Sequence, residues 1–430
     1  MYLDKVKSYL RKLNYKCFIF VFMLLFGIMP IIPRLVSRYL TTYSYMALVV
    51  ATVLFTVCTC RLAYIKRLIL MILPFVIYQV MAMLYTQNND VLLAGYQVLL
   101  FLLPVCLGFY LQSTDFHFKL HSATVVLAFA ITGVTTIFGC MRYPDAARVL
   151  ATTADSQDPI AITYNMMNIG GYSFVYSLVL LYPFVVLAFK LRRLHIVPTV
   201  LLTVLAYGVV ISASYTYAFM LLMSTTLLFF IPRDMTVKRF ILFVLLFIGI
   251  VFLFKTTIAA IISALGGYLG NSAMADKVNA LFLGTDAVEG FDDDRGALYM
   301  LSFELFLKNP LFGNFFSGFK TTGGHSFILD NLANYGLLGG FLMMTMYRGI
   351  WRTFFRPMKG KPGYCFVFWA FVQPILLSSI NTGMWLNNLC LYTPILICAV
   401  YGGKSYLNHT EEKPSPLIQV PVLQSKVRNE

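Results

Sequence analysis

The chain has 430 residues, of which 59% are apolar and only 12% are charged. Soluble domains contain about 45–50% apolar and about 25% charged residues, so this composition excludes a soluble globular protein. The net charge of +15 does not indicate a nucleic-acid partner, because the basic residues lie between apolar runs, where orientation signals of membrane proteins lie. We therefore expect membrane lipids, and no nucleic acid, around this chain.

Apolar runs of about 20 residues, enough to cross roughly 30 Å of hydrocarbon, follow one another along the chain. A basic N-terminus, 1–16, precedes them, and a polar tail, 403–430, has a composition typical of disorder. The transmembrane domain between them, 17–402, is predicted to be all-α, since lipid offers no partner for unpaired backbone groups. Its twelve predicted spans are 17–33, 39–60, 67–85, 91–111, 119–140, 172–189, 196–213, 215–231, 239–256, 326–347, 362–380 and 387–402.

The distribution of basic residues predicts the orientation of these spans. With the N-terminus in the cytoplasm, the inner segments hold 24 lysines and arginines and the outer segments hold eight. Both termini are therefore predicted to be cytoplasmic. Two outer segments, 141–171 and 257–325, are long enough that we expect them to carry function.

No metal or cofactor is predicted from the residue pattern. All eight cysteines lie in or beside apolar runs, without the spacing of a metal site or a disulfide framework. The acidic cluster Asp292–Asp294 leaves three alternatives open: it could cap a helix, pair with Arg295 or bind a divalent cation.

Two residues of the second long loop are candidates for chemistry. His325 follows Gly323 and Gly324 where the loop returns to the membrane, and an imidazole there could accept a proton near neutral pH. Arg295 is predicted in the first turn of a helix lying on the membrane surface. There a guanidinium and free backbone N–H groups suit a phosphate. The alternatives are a structural histidine and an ordinary salt bridge to the neighbouring acids.

Other polar residues near the outer face are weaker candidates. Asp330 lies just inside the tenth span, about 140° from His325 if one helix contains both, so the two could pair only if the helix begins after His325. Arg142 and Arg148 in the first long loop could hold an anion or be solvated surface charge.

Two pieces of the second loop resemble the O-antigen polymerase and O-antigen ligase family. The first contains Arg295 and the sequence NPLFG, 309–313, and the second is HSFILDNLANYGLLGG, beginning at His325. The stretch that begins at Tyr164 also resembles the region after that family's first long loop. The order of these pieces and the twelve-span layout both agree with the family.

The resemblance implies a large membrane glycosyltransferase fold of the GT-C-like type in the bacterial inner membrane. It implies a polyprenyl-pyrophosphate-linked oligosaccharide as donor and acceptor, reaction at the periplasmic face, and no nucleotide sugar. It assigns Arg295 to the pyrophosphate and His325 to the acceptor or the leaving group. A chain-length regulator would be a further partner.

One departure from the family distinguishes its two activities. Tyr215 stands in the turn between the seventh and eighth spans, where the family often has an arginine. A second phosphate contact would then come from Arg142, Arg148 or Lys320, or be absent. This favours a polymerase, which joins repeat units, over a ligase, which transfers a finished glycan to a lipid core.

Two other classes are alternatives. A polysaccharide flippase or other transporter typically has charged groups near the bilayer midplane and internal repeats, and this chain has its charges at the edges. A metal-dependent oligosaccharyl or mannosyl transferase has acids in its first outer loop, whereas the segment around Arg34 and Arg38 has none.

Overall fold

The computed structural model describes residues 15–39, 118–152, 158–268, 293–316, 322–380 and 385–401, with isolated positions between 70 and 81. Throughout these ranges the secondary structure is helix joined by turns, without strands. The helices, numbered along the described ranges, are α1 Tyr15–Ile28, α2 Ile31–Tyr39, α3 Phe118–Arg142, α4 Ala146–Thr152, α5 Pro159–Met166, α6 Tyr172–Lys190, α7 Ile196–Ser212, α8 Thr216–Thr226, α9 Val237–Leu253, α10 Lys255–Tyr268, α11 Asp293–Lys308, α12 Phe327–Ile350, α13 Tyr364–Ile380 and α14 Trp385–Tyr401.

The predicted helical character is confirmed for the described residues. Helices at Leu120–Arg142, Tyr172–Lys190 and Phe327–Met358 are long and apolar enough to cross a membrane, and several shorter apolar helices accompany them. The predicted spans 39–60, apart from Tyr39, and 91–111 lie outside the described residues, as does 67–85 except at isolated positions. The total of twelve spans stays a prediction.

Three helix boundaries differ from the sequence prediction. The first span is divided into α1 and α2 at Met29–Pro30, because proline supplies no N–H for a helical hydrogen bond. The outer segment 141–171 contains the short helices α4 and α5. The segment predicted as a loop from 257 begins as a helix, since α10 continues to Tyr268.

Helix α6 is the centre of the packing. It contacts α7, α8, α13 and α14, and two thirds of its apolar window is buried, against about a third or slightly more for the other two long helices. Val175, Val179 and Leu187 are fully buried along it. Peripheral helices instead leave apolar side chains exposed, such as Leu246 on α9, as expected for surfaces that lipid covers.

Basic turns gather at one end of this bundle, which we call the basic end. The Lys190 ammonium donates to the Phe229 carbonyl, the Gly363 N–H donates to the Arg233 carbonyl at 2.7 Å, and the Tyr401 hydroxyl donates to the Pro362 carbonyl at 2.9 Å. These bonds join the turns after α6, before α9 and before α13 to the end of α14. The basic residues of these turns are Lys190, Arg192, Arg193, Arg233, Lys359 and Lys361.

A buried polar cluster ties the end of the first long outer segment to α3. The Asn168 amide donates to the hydroxyls of Thr132 and Thr135 at 3.1 and 3.2 Å, and Thr135 donates back to the Asn168 carbonyl at 2.7 Å. The Gly170 N–H donates to Thr136 at 2.8 Å. Asn168 has a φ of 56°, a conformation that asparagine tolerates better than most residues.

The predicted tenth span is not one continuous helix, because α12 is interrupted at Gly336, where φ is 63° and ψ is −164°. Only glycine commonly adopts this backbone conformation. The interruption frees the N–H groups of Leu337 and Leu338, which donate to the carbonyls of Pro310 and Leu311 at 2.8 and 3.2 Å. Two backbone hydrogen bonds therefore join the NPLFG and GLLGG sequences.

Glycine allows these two segments to approach closely. A Cβ at Gly336 would lie 2.4 Å from the Leu311 carbonyl oxygen, and a Cβ at Gly313 would lie 2.6 Å from that of Ala333. Both distances are too short for a side chain. We call this backbone contact between 310–313 and 333–338 the glycine contact.

We predict that Gly336→Ala destabilises the fold. The backbone conformation alone costs about 1–3 kcal/mol for a non-glycine residue, and the methyl group would collide with Leu311. Thermal unfolding of the purified protein in detergent measures the effect. Gly249→Ala is the control, because that helical glycine has open space around it and alanine favours helix. Equal unfolding temperatures for the two variants would contradict the glycine contact.

Candidate active site

The turn 322–326, which carries His325, lies directly before α12. Ser326 is the N-cap of this helix, and its hydroxyl accepts the Leu329 N–H at 3.2 Å. The helix therefore begins after His325. From the sequence, Asp330 and His325 could pair only if the helix began there. His325 is half-buried, and Gly324 before it has a φ of 71°, which favours glycine.

Asp330 binds the backbone on both sides of His325. One carboxylate oxygen accepts the Gly324 N–H at 3.3 Å, and the other accepts the Ser326 N–H at 3.2 Å. Hydrogen bonds to a charged acceptor are stronger than neutral ones. Asp330 therefore fixes the turn. Its carboxylate does not bind the His325 imidazole, and no other residue in the described ranges hydrogen-bonds with that ring.

Ser302 connects this turn to α11. Its side chain is buried, its hydroxyl donates to Asp330 at 2.7 Å, and the same hydroxyl accepts the Gly323 N–H at 2.9 Å. A Cβ at Gly323 would lie 2.1 Å from the Leu298 carbonyl oxygen, so the turn lies directly against the helix backbone. We call Ser302, Asp330 and the three N–H groups of 323, 324 and 326 the Asp330 clasp.

The backbone of Arg295 lies in the first turn of α11, as the sequence predicts, because this helix begins at Asp293. It precedes Ser302 by seven residues, or about 10 Å along a helix. The side chain of Arg295 is outside the described part of the structure, and so is Lys320. The structure thus places the helix that contains Arg295 against the turn that contains His325. The proximity of the two side chains stays a prediction.

The Asp330 clasp lies at the end of the bundle opposite the basic end. Helix α13 starts beside Gly363 at the basic end and ends at Ile380, about 25 Å away along its axis. The Tyr299 hydroxyl of α11 donates to the Ile380 carbonyl at 3.0 Å. Helix α11 is therefore attached to the far end of α13.

The remaining predicted residues lie in other parts of the described structure. Arg142 is exposed at the end of α3, and its guanidinium lies 5.4 Å from the centre of the Tyr143 ring. Arg148 is exposed on α4. Tyr215 is buried, with its ring stacked on Tyr172 at 4.2 Å and edge-on to Tyr176 at 4.6 Å. Its visible role is therefore packing between α6 and α8.

Ser302 is a site residue that sequence reasoning missed, and Gly323 was noted there only as part of the turn before His325. A signal for Ser302 existed, because it is the single serine in the largely apolar run ALYMLSFELFL. No comparable signal marked the role of Asp330, whose partner Ser302 is 28 residues away.

The three alternatives that the sequence leaves open for the acidic cluster Asp292–Asp294, including the binding of a divalent cation, all stay open. Asp292 lies outside the described residues, as do the side chains of Asp293 and Asp294. Among the residues that are described, no group of three His, Cys, Asp or Glu side chains could hold a metal ion.

The fold and composition together define a helical membrane protein. Comparison with models of known protein families gives no match, and comparison with curated proteins gives no significant relative.

We predict that Asp330→Asn loosens the turn that carries His325. An amide has one acceptor oxygen in place of two, so at least one buried donor loses its partner, at a cost of about 1–3 kcal/mol. Hydrogen exchange of the peptide that contains 322–330 should become several-fold faster. Glu304→Gln is the control, because Glu304 is exposed on α11, two residues after Ser302, and hydrogen exchange in this variant should match the wild type. Unchanged protection in Asp330→Asn would contradict the clasp.

Proposed function

We propose that the chain is a membrane glycosyltransferase that polymerises polyprenyl-pyrophosphate-linked oligosaccharide repeat units at the outer face of a bacterial inner membrane. The observation that carries the proposal is the Asp330 clasp. It binds both neighbours of His325 and joins their turn to Ser302, on the helix whose first turn contains Arg295. The residues that carry the family resemblance thus belong to elements in direct contact.

In the proposed reaction, a sugar hydroxyl of the acceptor attacks the anomeric carbon of the donor glycan. The bond between that carbon and the pyrophosphate oxygen breaks, and the polyprenyl pyrophosphate leaves with the bonding electrons. His325 accepts the proton of the attacking hydroxyl. The guanidinium of Arg295, at the N-terminal end of α11, stabilises the negative charge that develops on the leaving group.

The proposal requires that a lipid tail reach the site from the side. Helix α12 supports this, because after Gly336 it has an exposed apolar face that includes Leu337, Phe341 and Met344, which are 53%, 64% and 69% exposed. This face begins at the glycine contact. It gives a polyprenyl chain an apolar surface that starts seven residues, or about 10 Å, after Asp330 on the same helix.

Deletion of the gene for this chain in the native host distinguishes a polymerase from a ligase, when the surface glycan is then compared with that of the wild type on a gel. Loss of a polymerase leaves single capped repeat units. Loss of a ligase leaves full-length chains on the carrier lipid. Unchanged glycan would count against both activities.

We predict that His325→Ala and Arg295→Ala abolish chain growth while membrane abundance stays near normal. Arg295→Lys should restore little activity, because an ammonium cannot reproduce the planar guanidinium contact with a phosphate. Glycan length on a gel is the measurement. Lys308→Ala is the matched control, because Lys308 is exposed in the last turn of the same helix, and its chain length should equal that of the wild type. Full activity in either alanine variant would remove that residue from the site.

A further inference from the structure

A cavity of about 360 Å³ lies between α3, α6, α7 and α14, away from the Asp330 clasp. Its size falls in the range of about 300–1,000 Å³ that is common for ligand pockets. Its walls are almost entirely hydrocarbon, with Phe129, Leu181 and Leu205 among the lining residues. The ligand should therefore be mostly apolar.

The cavity is as deep as one leaflet of a membrane. On α6 the lining extends from Leu178 to Ala188, ten residues or about 15 Å of helix. That length is half of the roughly 30 Å of hydrocarbon in a bilayer. One extended acyl chain of a single leaflet fits this depth.

The polar group of the ligand is indicated by the residues at one end of the cavity. Arg193 and Ser122 belong to its lining there, and Arg193 is exposed at the basic end. The turn is fixed by backbone hydrogen bonds, since the N–H groups of Arg192 and Arg193 donate to Phe189 and Ala188 at 2.9 and 2.8 Å. A guanidinium above an apolar cavity complements an anionic headgroup.

We propose that this cavity is a binding site for an anionic phospholipid, with one acyl chain between the four helices and the phosphate at Arg193. The site is separate from the proposed glycan chemistry, because the basic end lies opposite the Asp330 clasp. A polyprenyl phosphate shares the anionic head and apolar tail, but its chain is longer than one leaflet.

The test uses the full-length protein reconstituted in vesicles of phosphatidylglycerol and phosphatidylethanolamine with added polyprenyl phosphate. The protein is extracted in mild detergent and washed, and the retained lipids are quantified by mass spectrometry. We expect phosphatidylglycerol to be enriched several-fold over phosphatidylethanolamine. Arg193→Gln should remove the enrichment, and Arg192→Gln, in the same turn but outside the lining, should keep it.

A second pair of variants tests the cavity itself. Ala130→Trp places a large side chain in the lining and should lower the retained phospholipid several-fold. Leu127→Trp, on the same helix but 62% exposed and outside the lining, should retain as much as the wild type. If Ala130→Trp fails to fold, Val126→Phe replaces it, because Val126 lines the cavity and is 40% exposed. Unchanged retention in the filled variant, equal retention of both phospholipids, or preferential retention of polyprenyl phosphate would each overturn the proposal.

Discussion

The carboxylate of Asp330 is the contact on which the geometry of the candidate site depends. It accepts hydrogen bonds from the Ser302 hydroxyl and from the N–H groups of Gly324 and Ser326, so one side chain joins two helices through the turn between them. The glycine contact joins the same two segments at their other end. The unit from α11 to the first half of α12 is therefore held at both ends, and His325 lies on a turn whose two neighbouring peptides are fixed.

This unit packs against a bundle of helices whose two ends differ chemically. Helix α6 is buried along most of its length, and the helices around it place the basic turns at one end and the Asp330 clasp at the other. The proposed chemistry and the proposed phospholipid site use these two ends separately. A glycan reaction needs room for large polar substrates beside the membrane, whereas the cavity near Arg193 offers mainly hydrocarbon. One bundle can support both, because the two sites lie at opposite ends of it.

The sequence predicted the apolar helices of the bundle better than the geometry of the candidate site. Hydropathy predicted a span at 172–189, and the helix is Tyr172–Lys190, since a long apolar run has few alternatives in lipid. The N-terminal position of Arg295 in a helix was also predicted, because acids commonly precede helices. The interruption of α12 was not predicted. An apolar run gives no sign of it, and it depends on carbonyls near Leu311, about 25 residues earlier. The Ser302 partner of Asp330 is likewise 28 residues away, and periodicity describes only neighbouring residues.

We propose that the turn held by the clasp and the first turn of α11 form one site for a diphosphate, in which the Arg295 guanidinium supplies the positive charge. Calorimetric titration of the purified full-length protein with inorganic pyrophosphate at low salt tests it most directly. We expect binding that weakens as salt is added and that falls by at least about tenfold in Arg295→Ala, or roughly 1.4 kcal/mol. Asp330→Asn keeps the Arg295 guanidinium and removes one negative charge while it loosens the turn, so its binding should fall less than that of Arg295→Ala. Equal binding by the wild type and by both variants would contradict it.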